Sequence, residues 1–154
     1  MKQILCLFVL ISSFAFAQEK MKVINPVKWN VTYSLDDKNS SDVFVILTAT
    51  IDKEWHIYSQ KVGNAGPVAT SFTFDKDSLK YSTSGETVEP AGEKKLDPAF
   101  DAEIVSFTGT VVFTQRIKRV KNIPIKITGN IEYMTCNNMQ CYPPKTVPFS
   151  IEIP

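Results

Sequence analysis

The chain is poor in the side chains from which most catalytic and metal centres are made. It has one histidine and three cysteines in 154 residues. A single histidine argues against a Ser–His–Asp hydrolase. A structural zinc site wants four Cys or His ligands, and these are four in all, of which Cys6 lies in an N-terminal segment expected to be removed. Charge of either sign is not in excess, since 17 basic and 16 acidic residues leave +1. A nucleic-acid binder would carry a basic surplus, so no nucleic-acid partner is expected. Six glycines and nine prolines are too few for a collagen-like or low-complexity chain. No glycine-rich phosphate loop, no Cys-x-x-Cys motif and no amphipathic helical window stand out. What is present is an ordinary globular mix, 44% hydrophobic and 21% charged. Ten Phe, five Tyr and two Trp can fill a substantial core.

Residues 1–17 combine Lys2, an apolar run over 4–11 and the small-x-small ending Ala15-Phe16-Ala17. This is the pattern of a secretory signal peptide, cleaved after Ala17. The run is shorter than the roughly 20 residues that span a bilayer. Cys6 lies inside it and leaves with it. The expected mature chain, residues 18–154, is one exported domain of 137 residues (154 less 17). It loses Lys2 and so carries 16 basic and 16 acidic residues. Two cysteines remain, Cys136 and Cys141, in a compartment where disulfides form. No other apolar run is long enough to insert into a membrane.

The body alternates with period two, which predicts strands. Trp29, Val31, Tyr33 and Leu35 alternate with polar partners, and 36–42 is a loop by composition. Further strands are predicted at 43–51, 55–58, 71–74, 79–81, 104–107 and 110–117. The stretch 82–98 is polar and rich in turn formers, so it is expected as an excursion. Ile125, Ile127, Ile131 and Tyr133 mark one long strand, and Val147, Phe149, Ile151 and Ile153 mark the last. Eight or nine strands without a helix predict an all-β fold, an immunoglobulin-like β-sandwich, with a β-barrel as the alternative.

The chemistry sits in Tyr133-Met134-Thr135-Cys136-Asn137-Asn138-Met139-Gln140-Cys141-Tyr142-Pro143-Pro144. The two cysteines lie between the last two strands and should flank a four-residue hairpin loop. Opposed Cβ atoms in a hairpin stand about 4.5–5.5 Å apart, and a disulfide needs about 3.5–4.5 Å, so a small adjustment suffices. As a staple the bond is inefficient: closing so short a loop gains about 2 kcal/mol. A redox pair and a structural disulfide in an exported binding module both remain open. With Ile131 and Tyr133 facing the core, Cys136 falls on the opposite face with Glu132 and Met134. That register predicts a sulfur near the surface, where exchange needs access.

The pattern Tyr133-x-x-Cys136-x4-Cys141-Tyr142-Pro143-Pro144 resembles the N-terminal domain of the thiol:disulfide interchange protein DsbD. Two further segments carry the resemblance. Trp55-His56-Ile57-Tyr58-Ser59 is similar to the family's aromatic strand beside the cysteines, and Asp97-Pro98-Ala99-Phe100-Asp101 to its cap loop. The better-known members have five residues between the cysteines, where this chain has four. The resemblance implies an immunoglobulin-like fold and a periplasmic location. It also implies electron transfer from a membrane-embedded donor protein to thioredoxin-like exported proteins, including those of cytochrome c biogenesis. No cofactor is expected. The family's membrane-embedded and C-terminal domains are not expected within residues 18–154, so this domain would work with separate partners. By resemblance Cys141 is the attacking sulfur and Cys136 resolves the mixed disulfide. Phe100 would cover the pair, Asp97 or Asp101 would raise a thiol pKa by repelling the thiolate, and Tyr142 would wall the site with Trp55 and Tyr58, for which the core is the equal alternative.

Other readings of the same residues stand beside this one. Met134, Cys136, Met139 and Cys141 are four soft ligands within eight positions, a set that suits Cu(I) in a periplasmic copper carrier. His56 could join a metal site, but a lone histidine more often packs or lies at the surface. Trp29 is expected in the core. Arg116, Lys118, Arg119 and Lys121 form a basic run, expected as a solvated strand end, with a docking patch for an acidic partner as the sharper alternative.

Overall fold

The computed structural model describes residues 25–36, 41–63 and 66–154. The predicted leader with Cys6 and most of the 36–42 loop lie outside the described residues. Ten strands are described: β1 (Val27–Leu35), β2 (Asp42–Ile51), β3 (His56–Tyr58), β4 (Ser71–Phe74), β5 (Tyr81–Val88), β6 (Glu93–Asp97), β7 (Ala102–Phe107), β8 (Thr110–Arg119), β9 (Ile125–Cys136) and β10 (Cys141–Ile153). There is no helix among the described residues, and so none long and apolar enough to cross a membrane.

The strands form two separate antiparallel sheets, an immunoglobulin-like sandwich and not a closed barrel. One sheet runs β1-β2-β8-β5, and the other runs β10-β9-β3-β7-β6, with β4 also paired to β9. Alternate residues drive the two faces together. Val43, Val45, Leu47 and Ala49 of β2 share one core with Ile125, Ile127, Ile131 and Tyr133 of β9 and with Phe113 and Ile117 of β8. Each such fully buried aliphatic or aromatic side chain contributes about 1.5–3 kcal/mol of transfer free energy. Trp29 packs against this core as expected, its ring 5.6–5.9 Å from those of Tyr133, Phe72 and Phe113.

The polar stretch at 82–98 is not an excursion. It supplies β5 and β6, one outer strand of each sheet. Their side chains are mostly exposed, so no buried face imposes an apolar alternation on them. They are strands because β8 and β7 offer them hydrogen-bond ladders. Leu79 belongs to the turn before β5 and is exposed, while Tyr81 starts the strand.

Two features position the end of the sandwich that carries the cysteines. In β10 the register slips by one residue between Tyr142 and Lys145, a bulge that holds Pro143 and Pro144. Proline cannot donate to a ladder, and an outer strand with a bulge is where it is tolerated. On the other side of β9, β3 pairs near the C-terminal end and β4 further back. The hydroxyl of Thr135 donates to the His56 carbonyl at 2.8 Å, and that of Thr70 to the Tyr58 carbonyl at 2.5 Å. These bonds brace a strand of only three residues.

Candidate functional site

Cys136 ends β9 and Cys141 opens β10, as directly opposed residues joined by a disulfide. Residues 137–140 make the four-residue loop read from the spacing. Asn137 organises it: its side-chain oxygen accepts from the backbone N–H groups of Met139 and Gln140, both at 2.9 Å. This is the local bonding that makes asparagine a turn former.

β3 pairs with β9 so that His56 lies opposite Cys136. Cys141, Cys136 and His56 therefore form one row across three adjacent strands, on one face of the sheet. The alternation of β3 divides the aromatic strand in two. Trp55 and Ile57 enter the main core, whereas Tyr58, two residues on from His56, belongs to a second apolar cluster with Cys136 and Ile104. Val62, Phe100, Ala102, Met134 and Cys141 pack around that cluster. Trp55 still borders the cysteines indirectly, because its ring stacks on that of Tyr142 at 5.0 Å and 11°.

This second cluster corrects the expected exposure of the sulfur. Cys136 is on the face opposite the main core, as its register requires, yet it is only 1% exposed. The turn joining β6 to β7 folds over that face and buries it. Cys141 is half-buried and borders an open groove of about 490 Å³ between that turn and the hairpin loop, lined also by Pro98, Phe100, Asn138 and Met139. Access to the pair is therefore through Cys141.

Asp97 is the anchor of the covering turn. It ends β6 and is 7% exposed. Its Oδ2 accepts from the Tyr58 hydroxyl at 2.8 Å and lies 3.3 Å from His56 Nε2. Its Oδ1 accepts the Ala99 backbone N–H at 2.9 Å, and its carbonyl accepts that of Phe100 at 3.3 Å. One carboxylate thus joins the turn to the strand opposite Cys136. Phe100 packs edge-on to Tyr58, with ring centroids 6.0 Å apart. Asp101 is exposed and takes a left-handed backbone conformation, φ 49°, at the end of the turn. Of the two candidate acids, only Asp97 is built into the cluster.

Burial, partly opposed by the neighbouring Asp97, lowers the His56 pKa below 6.5. Burial and the Asp97 carboxylate push the Tyr58 phenol far above its ordinary value. At neutral pH the ring of His56 is neutral and Tyr58 keeps its proton. The sequence suggests a packed or surface residue at His56, and the structure places it beside Tyr58 and Asp97. The available signal was its spacing: on a strand, positions 56 and 58 point the same way.

The remaining candidates separate. Met134 packs in the second cluster, whereas Met139 is 89% exposed at the hairpin tip. No group of three His, Cys, Asp or Glu side chains fit to hold a metal occurs among the described residues. In the basic run, Arg116 pairs with the buried carboxylate of Asp42, and Arg119 is itself buried and donates to the Pro154 carbonyl. Lys118 and Lys121 are exposed. Two of its four cations are therefore spent on the fold.

A family model, described as thiol:disulfide interchange protein DsbD, N-terminal, matches residues 22–152. Three solved structures share the fold. The reduced DsbD N-terminal domain of Neisseria meningitidis has a TM-score of 0.50 at 19% identity, over 70% of this chain and 74% of that one. The N-terminal periplasmic domain of ScsB from Proteus mirabilis has a TM-score of 0.59 at 18% identity, over 88% of this chain but only 49% of that one. A chain from the complex between the DsbD N-terminal and PilB N-terminal domains of Neisseria meningitidis has a TM-score of 0.52 at 16% identity, over 83% and 86%. No curated protein sequence matches the chain.

Proposed function

The chain belongs to the family of the N-terminal domain of the thiol:disulfide interchange protein DsbD, and we propose that its Cys136–Cys141 pair is a redox centre that takes electrons from a membrane-embedded donor and passes them to thioredoxin-like exported proteins. The observation that carries this reading is the placement of the disulfide at a hairpin tip, with Cys141 beside an open groove and Cys136 beneath the Phe100 turn. A bond meant only to hold the fold together would gain more by joining the two sheets. The complex of the Neisseria DsbD domain with a PilB domain supports a protein partner as the substrate.

In the reduced state the Cys141 thiolate attacks one sulfur of a partner disulfide. The partner's other sulfur leaves as a thiolate, and Cys141 is held in a mixed disulfide. Cys136 then attacks Cys141, the Cys136–Cys141 bond re-forms, and the partner leaves fully reduced. Two electrons pass to the partner. Phe100 shields the pair between encounters, and the walls are Tyr58, Trp55 and Tyr142. The working domain is residues 18–154, freed from a leader after Ala17, in the periplasm.

The test is the reduction potential of the pair, by thiol trapping across a graded thiol/disulfide buffer. A value within roughly −120 to −270 mV, the range of exchange proteins, supports the reading. A value below about −300 mV marks a structural disulfide and favours the binding-module alternative.

A further inference from the structure

The exchange cycle needs a proton acceptor when the buried cysteine attacks, and the row across the sheet supplies one. Cys136 and His56 are directly opposed on β9 and β3, on the same face. Opposed residues place their Cβ atoms about 4.5–5.5 Å apart, which brings an imidazole within reach of a thiol. The hydrogen bonds at Nε2 set the tautomer of the ring. Tyr58 has one proton and donates it to Asp97 at 2.8 Å. His56 Nε2 stands 3.0 Å from that same phenol oxygen and 3.3 Å from Asp97 Oδ2, and both can only accept from it. The neutral ring must therefore carry its proton on Nε2, which leaves Nδ1 as a bare lone pair. Asp97 and Tyr58 orient a base, as the carboxylate does in a nucleophile–histidine–carboxylate arrangement.

We infer that His56 is the general base of the resolving step, taking the proton of the Cys136 thiol at Nδ1 as that sulfur attacks the mixed disulfide on Cys141. The inference rests on the exchange reading above. As the Cys136–Cys141 bond forms, the bond from Cys141 to the partner breaks and the partner's sulfur leaves with the electron pair. The proton passes from Cys136 to His56 and on to that leaving thiolate or to water. Asp97 and Tyr58 are positioning residues. A buried thiol needs the help: even at an ordinary pKa, near 8.5, only about 3% of it is ionised at pH 7, and burial lowers that fraction further. The lowered pKa of His56 keeps it in its basic form at neutral pH. The charged and titratable groups around it are Asp97 and Lys95 on β6, Tyr58 on its own strand and Cys136 on β9. β7 sets Phe107 and Ser106 against β3, and neither titrates.

The experiment mixes the reduced protein with dithiobis(nitrobenzoate) in a stopped-flow instrument and follows thionitrobenzoate release. The first phase is attack by Cys141, and the second is displacement by Cys136. His56→Gln is the informative variant, because the glutamine amide keeps a donor where Nε2 was but has no base. The expected result is a second phase at least about tenfold slower at pH 7, with the first phase little changed. In the wild type the second-phase rate should bend below pH 6.5, where the imidazole titrates, and the variant should rise with pH without that bend. Asp97→Asn provides a second test if the glutamine variant does not fold. Losing the carboxylate that holds the His56 pKa up should move the bend to lower pH. An unchanged second phase in His56→Gln, or a bend that stays in place in Asp97→Asn, overturns the role. So does a loss confined to the first phase. Failure of the exchange reading looks different: it shows as a reduction potential of the pair below about −300 mV, whatever the rates of the two phases.

Discussion

The phenol of Tyr58 donates a 2.8 Å hydrogen bond to the buried carboxylate of Asp97, 39 positions further along the chain. That bond ties β3 to the end of β6 and holds the turn with Phe100 over Cys136. Tyr58→Phe removes the donor while leaving a buried carboxylate behind. The expected loss is about 1–3 kcal/mol of stability in urea unfolding. The same variant should let small thiols reduce the disulfide faster. A variant within about 0.5 kcal/mol of the wild type would mean that the contact does not anchor the turn.

Phe100 packs on the cluster that contains Cys136, as Cys141 does. If it shields them, Phe100→Ala speeds the reaction of the reduced protein with small oxidants severalfold. Its potential should stay nearly the same, since the bonding of the pair is untouched. An unchanged oxidation rate would sink the shielding role.

Stability should depend on pH through His56. Its folded pKa is lowered from 6.5, chiefly by burial and against the pull of Asp97. The unfolded chain then binds a proton more readily than the folded one between those two values. Above 6.5 both states are neutral at this site and nothing is lost. As pH falls from 6.5 through the lower folded value, stability is lost, and below it the loss is complete. Urea midpoints measured from pH 7.5 down to pH 5 should fall for the wild type, and His56→Gln should remove this part of the decline. Parallel curves for the two proteins would contradict the assignment.

Gly129 is a site of close approach on β9. A Cβ built there would collide with the Thr73 carbonyl oxygen and meet the Phe149 ring at 2.8 Å. The backbone of β4 cannot yield as a flexible side chain would. Gly129→Ala should cost about 3 kcal/mol, the upper range for overpacking, seen as a lower thermal midpoint. Near-wild-type stability would show that β4 can move away from β9.

Much of the fold is legible in the chain because alternation is a local property. Ile125, Ile127, Ile131 and Tyr133 declare a buried face without reference to any other segment. Outer strands are not legible in this way. Residues 93–96 are all exposed, and only their pairing with β7 makes them a strand. The candidate site divides along the same line. The hairpin could be read from the spacing of Cys136 and Cys141, whereas His56 gains its meaning from a partner strand about 80 positions away.

By itself the sequence determined the all-β class and the hairpin with its two sulfurs, because each follows from side-chain alternation or turn chemistry within a few residues. Only the tertiary structure decided that Cys136 is buried, that Cys141 borders the groove, and that Asp97, Tyr58 and His56 converge beside the pair. Burial and hydrogen bonding between remote segments depend on which strands become neighbours. That choice is made by packing the two sheets together, and no single stretch of the chain contains it.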